Sequence, residues 1–415
     1  MNNKQALISR VLLLLIGFVL LIELIRDAGK SGDFIGYVQA GQLVLSKEDI
    51  YSDYLNTWPP LFSVFSVLLT WGDQLNSYFL RFFWLLGSIV SMFFIIRESL
   101  KMTIGRSPEF IGQKQLELLQ SPIVLVPILI MLRYIMDNLA NVQINIYLLL
   151  CAVFAVSFFI QRKYIWVGVL LGLSISLKVI TIFFLLYFLY KRAFKPVFWT
   201  LFFALLFNAV SVLVFGFDQA LTYYQQWATE IAPRSLSAIH KNQSVFGFFL
   251  RMFSAEHTGM DLQINVLDLS KESAKNLGYL IVLLFSLFPA FWFRKKLNKP
   301  GSLASMLEYA VVFTVVPLLS PLAWKSYFIF LWFPYFISYL LLFQTEHSWS
   351  LKTILRLKYL FGLSVVLTVF SSELFVGAYF SDVLEVYSVI TIGTILLLLL
   401  QLVLVRNLHK FKRDT

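Results

Sequence analysis

Apolar runs of about 18 residues or more recur from one end of this chain to the other. Inside a bilayer every backbone N–H and C=O needs a partner within the protein, and a helix supplies those partners from its own segment. The chain is therefore expected to fold as an all-α polytopic membrane protein. Its charge content agrees: 14% of 415 residues are charged, against roughly a quarter in soluble domains. The single cysteine, Cys151, sits in an apolar run and excludes an intrachain disulfide. The four histidines, His240, His257, His347 and His409, show no HExxH spacing. No metal site is expected.

Candidate spans run over 8–26, 77–97, 121–136, 141–160, 163–177, 179–190, 196–215, 276–293, 305–321, 325–343, 357–375 and 385–405, about twelve in all. The first run follows Lys4 and Arg10 but lacks a small-residue cleavage pattern, so it reads as a retained helix. The segment 59–71 opens on two prolines, which suits a helix start. It is either a further crossing or a helix lying in the interface. If it does not cross, about 22 of the 34 basic residues fall on one side, and the positive-inside rule makes that side cytoplasmic. The inner side then holds Lys4 and Arg10; Arg97, Lys101, Arg106 and Lys114; Arg162 and Lys163; Lys191, Arg192 and Lys195; Arg294, Lys295, Lys296 and Lys299; Lys352, Arg356 and Lys358; and the tail Arg406, Lys410, Lys412 and Arg413. The net charge of +11 is then topology, and nucleic acid need not be invoked. Both termini are cytoplasmic, and two polar loops, about 27–76 and 216–275, face out. Residues 1–415 read as one integral domain without repeats or a soluble domain.

Ionisable groups near membrane depth are costly and are functional candidates by default. Arg81, Arg133, Lys178 and Lys325 fall near the outer ends of spans. Lys178 interrupts an apolar stretch behind Gly172, Ser174 and Ser176. It suits either a lipid phosphate or snorkelling to headgroups. Asp33, in Ser31-Gly32-Asp33-Phe34-Ile35-Gly36-Tyr37, suits either proton abstraction from a sugar hydroxyl or the cap of a following helix. Asn141, Gln143 and Asn145 place three amides at alternating positions, for sugar hydroxyls or for neighbouring helix ends. His240, Lys241, Asn242 and Ser244 open a segment running to Arg251 that reads as a polar pocket wall or as a helix cap. Trp58, Trp71, Trp227 and Trp324 suit sugar stacking or the interfacial aromatic belt.

The order of these features resembles the C-type glycosyltransferases, specifically glycosyltransferase family 87. The residues that carry the resemblance are Asp33, Tyr37, Ala40, Tyr51 or Tyr54, and Trp58-Pro59-Pro60-Leu61. They continue with Gln143-Ile144-Asn145, Lys178, Asn242-Gln243-Ser244 to Arg251, and Ser320-Pro321-Leu322-Ala323-Trp324. Two departures stand out: Lys325-Ser326-Tyr327 follow the tryptophan where histidine is common, and Val179 follows the lysine where proline is common.

The resemblance implies a GT-C-like bundle with catalytic outer loops. It implies transfer of a sugar, mannose by default, from a polyprenyl-phosphate donor to an extracytoplasmic glycan or lipid acceptor. Asp33 would be the general base, and Lys178, helped by Arg133 or Lys325, would hold the donor phosphate. Tyr37, Trp58, Asn141, Gln143, Asn145, His240, Lys241, Asn242, Ser244 and Trp324 would line the substrates. The lipid-linked sugar is a co-substrate and no cofactor is expected. Partners would be the donor, the acceptor and membrane lipids, in a plasma (inner) membrane. The rival readings are a lipid-linked glycan flippase, polymerase or other transporter, and a membrane scaffold. A flippase needs cations lining a path through the membrane, and a transporter groups its charges near the midplane; here they gather at one end.

Overall fold

The computed structural model describes residues 3–104, 120–234, 236–293, 299–345 and 349–411. Arg106, Lys114, Arg294, Lys295, Lys296, His347, Lys412 and Arg413 lie outside them. Among the described residues the chain is nearly all helix, without strands. The helices are α1 (Asn3–Ala28), α2 (Phe34–Ser46), α3 (Pro60–Ile104), α4 (Pro122–Ala140), α5 (Asn145–Ile160), α6 (Tyr164–Leu177), α7 (Ile182–Tyr190) and α8 (Phe194–Phe215). They continue as α9 (Phe217–Gln226), α10 (Val245–Phe253), α11 (Lys271–Trp292), α12 (Leu303–Leu319), α13 (Trp332–Phe343), α14 (Leu351–Val369), α15 (Glu373–Val386) and α16 (Val389–Phe411).

Seven described helices are long and apolar enough to cross a membrane, or eight if α14 and α15, bent by 78°, count as one span. Four shorter apolar helices, Asn145–Ile160, Tyr164–Leu177, Val179–Tyr190 and Leu303–Leu319, accompany them. At 1.5 Å per residue such helices fall short of the roughly 30 Å hydrocarbon core. The sequence separates 59–71 from 77–97, whereas the structure runs both into α3, broken only at Asn76 (φ −164°, ψ 107°). No proline or glycine stands at that break; Asn76 interrupts the ladder, and its Oδ1 accepts the Phe79 N–H at 3.0 Å. The expected span 357–375 ends early, because α14 stops at Val369 and α15 turns away.

The chain divides into two compact units, residues 1–109 with 135–235, and residues 110–134 with 236–415. In the first, α2 lies against the first half of α3. A Cβ on Gly41 would come within 2.3 Å of the Ser66 carbonyl oxygen and of Thr70 Oγ1, so only glycine permits that approach. Gly168 and Gly172, one helical turn apart, do the same for α6 against α8: a Cβ would come 2.5 Å from the Trp199 backbone and 2.8 Å from the Ala204 nitrogen. Small residues at this spacing let helix backbones meet where lipid gives no hydrophobic drive. In the second unit, the segment Lys325–Phe343 is 89% buried over its most apolar window, whereas α11 is only 17% buried and keeps an apolar face outward. One is an interior helix and the other suits lipid contact.

Five described helices are followed by a non-glycine residue in the left-handed region: Lys47 after α2, Val142 after α4, Arg162 after α5, Arg192 after α7 and Ser388 after α15. In the first four the N–H of that residue and the N–H of the next fold back onto the final turn, as in Val142 N to Leu139 O (3.0 Å) and Gln143 N to Asn138 O (2.9 Å). This closes the orphan carbonyls of the helix end. Lys and Arg also favour the negative end of the helix dipole; Val142 has no such compensation.

Gly168→Leu is expected to lower stability by about 1–3 kcal/mol through overpacking. Gly362→Leu, where a Cβ meets nothing within 4 Å, is the control and should change little. Thermal unfolding of the detergent-purified protein checks both.

Candidate active site

In the first unit three breaks between helices meet: the α1–α2 link, the α4–α5 turn and the α6–α7 break. Gly32 has φ +50°, and a Cβ there would lie 2.8 Å from the Asn141 carbonyl. Glycine thus lets the link press against the α4–α5 turn, and the Asp33 N–H donates to Asn141 O at 3.1 Å. On the other side of the contact Val142, buried and β-branched, holds φ +50°. Such a residue rarely enters this region, and the strain is stored beside the site.

The result is a continuous polar chain. Gln143 Nε2 donates to Asp33 Oδ2. Gln143 Oε1 accepts from Tyr37 OH at 3.3 Å and from Asn145 Nδ2 at 3.4 Å. Asn145 Oδ1 accepts from Lys178 Nζ at 2.9 Å. The donors and acceptors leave one consistent orientation for both amides: each presents its NH₂ toward Asp33 and its carbonyl oxygen toward Lys178. Lys178 stands in the break itself, with extended backbone (φ −156°, ψ 113°) and its N–H on Ser174 O at 2.9 Å. The Gly/Ser-rich end of α6 is used around it: Thr181 Oγ1 donates to Ser174 Oγ (3.0 Å), and Asn208 Nδ2 donates to Ser176 Oγ (2.7 Å).

Burial pushes the Asp33 carboxyl above its ordinary 3.8, opposed by the Lys178 ammonium and the Gln143 hydrogen bond. Burial pulls the Lys178 ammonium down to about 7, opposed by Asp33. Desolvation therefore weakens the base's charge and the cation's charge together, and each supports the other. As N-cap of α2, Asp33 makes no side-chain capping bond; its carboxylate serves Gln143 instead. Asn141 spends its amide on Asp137 O at 2.9 Å. Tyr37 is buried edge-on to Trp58 at 4.8 Å, and Trp58 stacks on Phe62.

The second unit brings together the remaining expected residues. Asn242 Nδ2 donates to Ser237 O (3.0 Å) and Pro321 O (3.2 Å), and its Oδ1 accepts the Ala323 N–H (3.0 Å). The Asn-x-Ser and Ser-Pro-x-x-Trp segments are thereby locked to each other. Ser244 Oγ accepts the Gly247 N–H at 3.0 Å and caps α10. Lys241 is exposed, and Trp324 is 39% exposed. Lys325 Nζ lies 3.0 Å from Glu385 Oε1 and 3.2 Å from Glu373 Oε1. Arg133 lies 3.5 Å from the same Glu385 oxygen and donates to Thr368 O (2.8 Å) and Ser371 Oγ (2.9 Å).

Glu373, Asp382 and Glu385 escaped the sequence reading. They are the acids of the apolar stretch 351–411, and the rule that ionisable groups at membrane depth are functional candidates would have found them.

A family model described as Glycosyltransferase family 87 matches residues 56–321, more than half of the chain. The match takes in Trp58, Arg133, the 141–145 turn, Lys178 and the 240–251 segment; Asp33 and Tyr37 precede it and Trp324 and Lys325 follow it. No curated protein and no solved structure matches the chain.

Asn145→Leu and Lys178→Met should each lower stability, but the double variant should lose less than their sum. The expected coupling is about 1–2 kcal/mol, since the pair shares one buried hydrogen bond. Denaturant or thermal unfolding in a double-mutant cycle measures it, and additive losses would contradict the pairing.

Proposed function

The chain belongs to glycosyltransferase family 87, and on that premise we propose that it transfers a sugar, mannose by default, from a polyprenyl-phosphate donor. The acceptor is an extracytoplasmic glycan or lipid. The observation that carries the reading is the hydrogen-bonded chain Asp33–Gln143–Asn145–Lys178, which joins a half-buried carboxylate to a buried ammonium. In this reading the Asp33 carboxylate takes the proton of the acceptor hydroxyl. The acceptor oxygen bonds to the anomeric carbon, the bond from that carbon to the phosphate oxygen breaks, and configuration inverts. The lipid phosphate leaves with the electron pair, and Lys178 neutralises the charge it gains.

Gln143 and Asn145 then act as positioning residues. They hold the base and the cation in register while Tyr37 fixes the Gln143 amide. The family resemblance also offers Arg133 and Lys325 as phosphate ligands, but both are engaged with Glu385, and Lys325 with Glu373 as well, so the proposal rests on Lys178. The transfer needs no metal, because the donor has one phosphate and the chain supplies the cation.

A lipid-borne donor is supported by a cavity of about 1080 Å³ in the same unit. Its walls are largely apolar, with Phe65, Leu68, Trp71, Phe207 and Phe215 among them, and it reaches Leu177, the residue before Lys178. Such a space suits an isoprenoid chain whose phosphate ends at the ammonium. The retained first helix and the family resemblance support a plasma (inner) membrane location, and the charge distribution in the sequence supports both termini inside and the site facing out.

The test is transfer from a panel of radiolabelled polyprenyl-phosphate sugars with envelope lipids and glycans as acceptors. Asp33→Asn should abolish turnover while expression holds; an equally active variant would sink the base assignment. The rate should rise with pH as Asp33 ionises, at a pH above its ordinary 3.8, and fall as Lys178 loses its proton near 7. Lys178→Arg, which stays charged, should move the falling limb upward in the pH–rate profile of any residual activity.

A further inference from the structure

Within the second unit, His240, Asp382 and Glu385 each bring one ligand atom to within 4.8 Å of the others. His240 Nδ1 lies 2.9 Å from the Thr258 carbonyl oxygen. A carbonyl only accepts, so Nδ1 carries a proton and donates it. In the neutral ring Nε2 is then a bare lone pair. It is buried, has no hydrogen-bond partner among the described residues, and faces Asp382 Oδ1 across 3.6 Å. A lone pair turned toward a carboxylate is repulsive unless a cation lies between them.

Glu385, 1% exposed, completes the set. Its Oε1 faces Lys325 and Arg133, while Oε2 is buried without a hydrogen-bond partner among the described residues. The ring is held firmly for this task. Gly259, at φ +86°, closes against it so tightly that a Cβ would lie 2.8 Å from His240 Nδ1. Tying one imidazole nitrogen to a carbonyl, with the other left to coordinate, is the usual support of a metal-bound histidine.

We propose that His240 Nε2, Asp382 and Glu385 bind a divalent transition-metal cation of the Zn²⁺ or Mn²⁺ class. One nitrogen and two carboxylates suit such ions better than Ca²⁺ or Mg²⁺, which prefer oxygen alone. Asp382 and Glu385 supply the negative ligand charge, while Arg133 and Lys325, the latter shared with Glu373, lie at Glu385 Oε1 and leave Oε2 for the ion. The ligands come from the segment before α10 and from α15, so the ion staples that segment to the helix. The inference rests on this cluster alone and not on the proposed transfer reaction.

The test uses tag-free, detergent-purified full-length protein, stripped with chelator and dialysed against Zn²⁺ or Mn²⁺. Metal content is read by mass spectrometry and affinity by calorimetry. The expected result is one ion per chain, with affinity falling at least about 100-fold in His240→Gln and in Asp382→Asn. Unfolding temperature should rise with the ion in the parent protein and not in the variants. Asp382 is half-buried, so its variant keeps the test open if the histidine variant fails to fold. Substoichiometric binding at micromolar metal, or equal binding by the variants, overturns the proposal and leaves a proton as the cation between His240 and Asp382.

Discussion

A lysine ammonium taken out of water is the constraint around which the first unit is organised. Moving such an ion into a low-dielectric interior costs several kcal/mol even after relaxation. Lys178 is 8% exposed, so the fold has to meet that cost with partners. Asn145 Oδ1 accepts its hydrogen bond directly, and Asp33 supplies the opposing charge at the other end of the chain through Gln143. The strained Val142 turn, the Gly32 contact and the close α6–α8 packing serve this arrangement: each brings a helix end to a place its own sequence would not choose.

The second unit handles charge in another way. Glu385 is the hub, with Lys325 and Arg133 on one oxygen and His240 and Asp382 nearby. Breaking such a buried cluster by removing one partner strands the others, which is costly. The Asn242 bonds to Pro321 and Ala323 then hold the 237–245 loop in place beside it. Segments about 80 residues apart in the chain are thereby tied together by one asparagine side chain.

Much of this was legible beforehand. The repeated apolar runs announced the membrane class, and Asp33, Gln143, Asn145 and Lys178 were all singled out by their chemistry. What the sequence left open was the use of each group. Asn141 and Ser244 read equally as sugar ligands or as local caps, and their hydrogen bonds run to Asp137 O and from Gly247 N. Gln143 and Asn145 read as sugar ligands or as partners of neighbouring helix ends, and in the structure each bonds to a charged neighbour. Pairing of Lys325 and Arg133 with Glu385 could not be read at all, because the partners lie roughly 60 and 250 residues apart along the chain.

The sequence by itself determined the class, the helices and the identities of the chemical groups. Hydrophobic length and the obligation to satisfy backbone groups in lipid act along a single segment, and a single segment can be read alone. Only the tertiary structure decided where helices break, as at Asn76 and Val369, and which amide faces which charge. Those outcomes depend on contacts between segments far apart in the chain. There a fraction of an ångström at Gly41 or Gly168, or the orientation of one glutamine side chain, sets whether a buried charge has a partner.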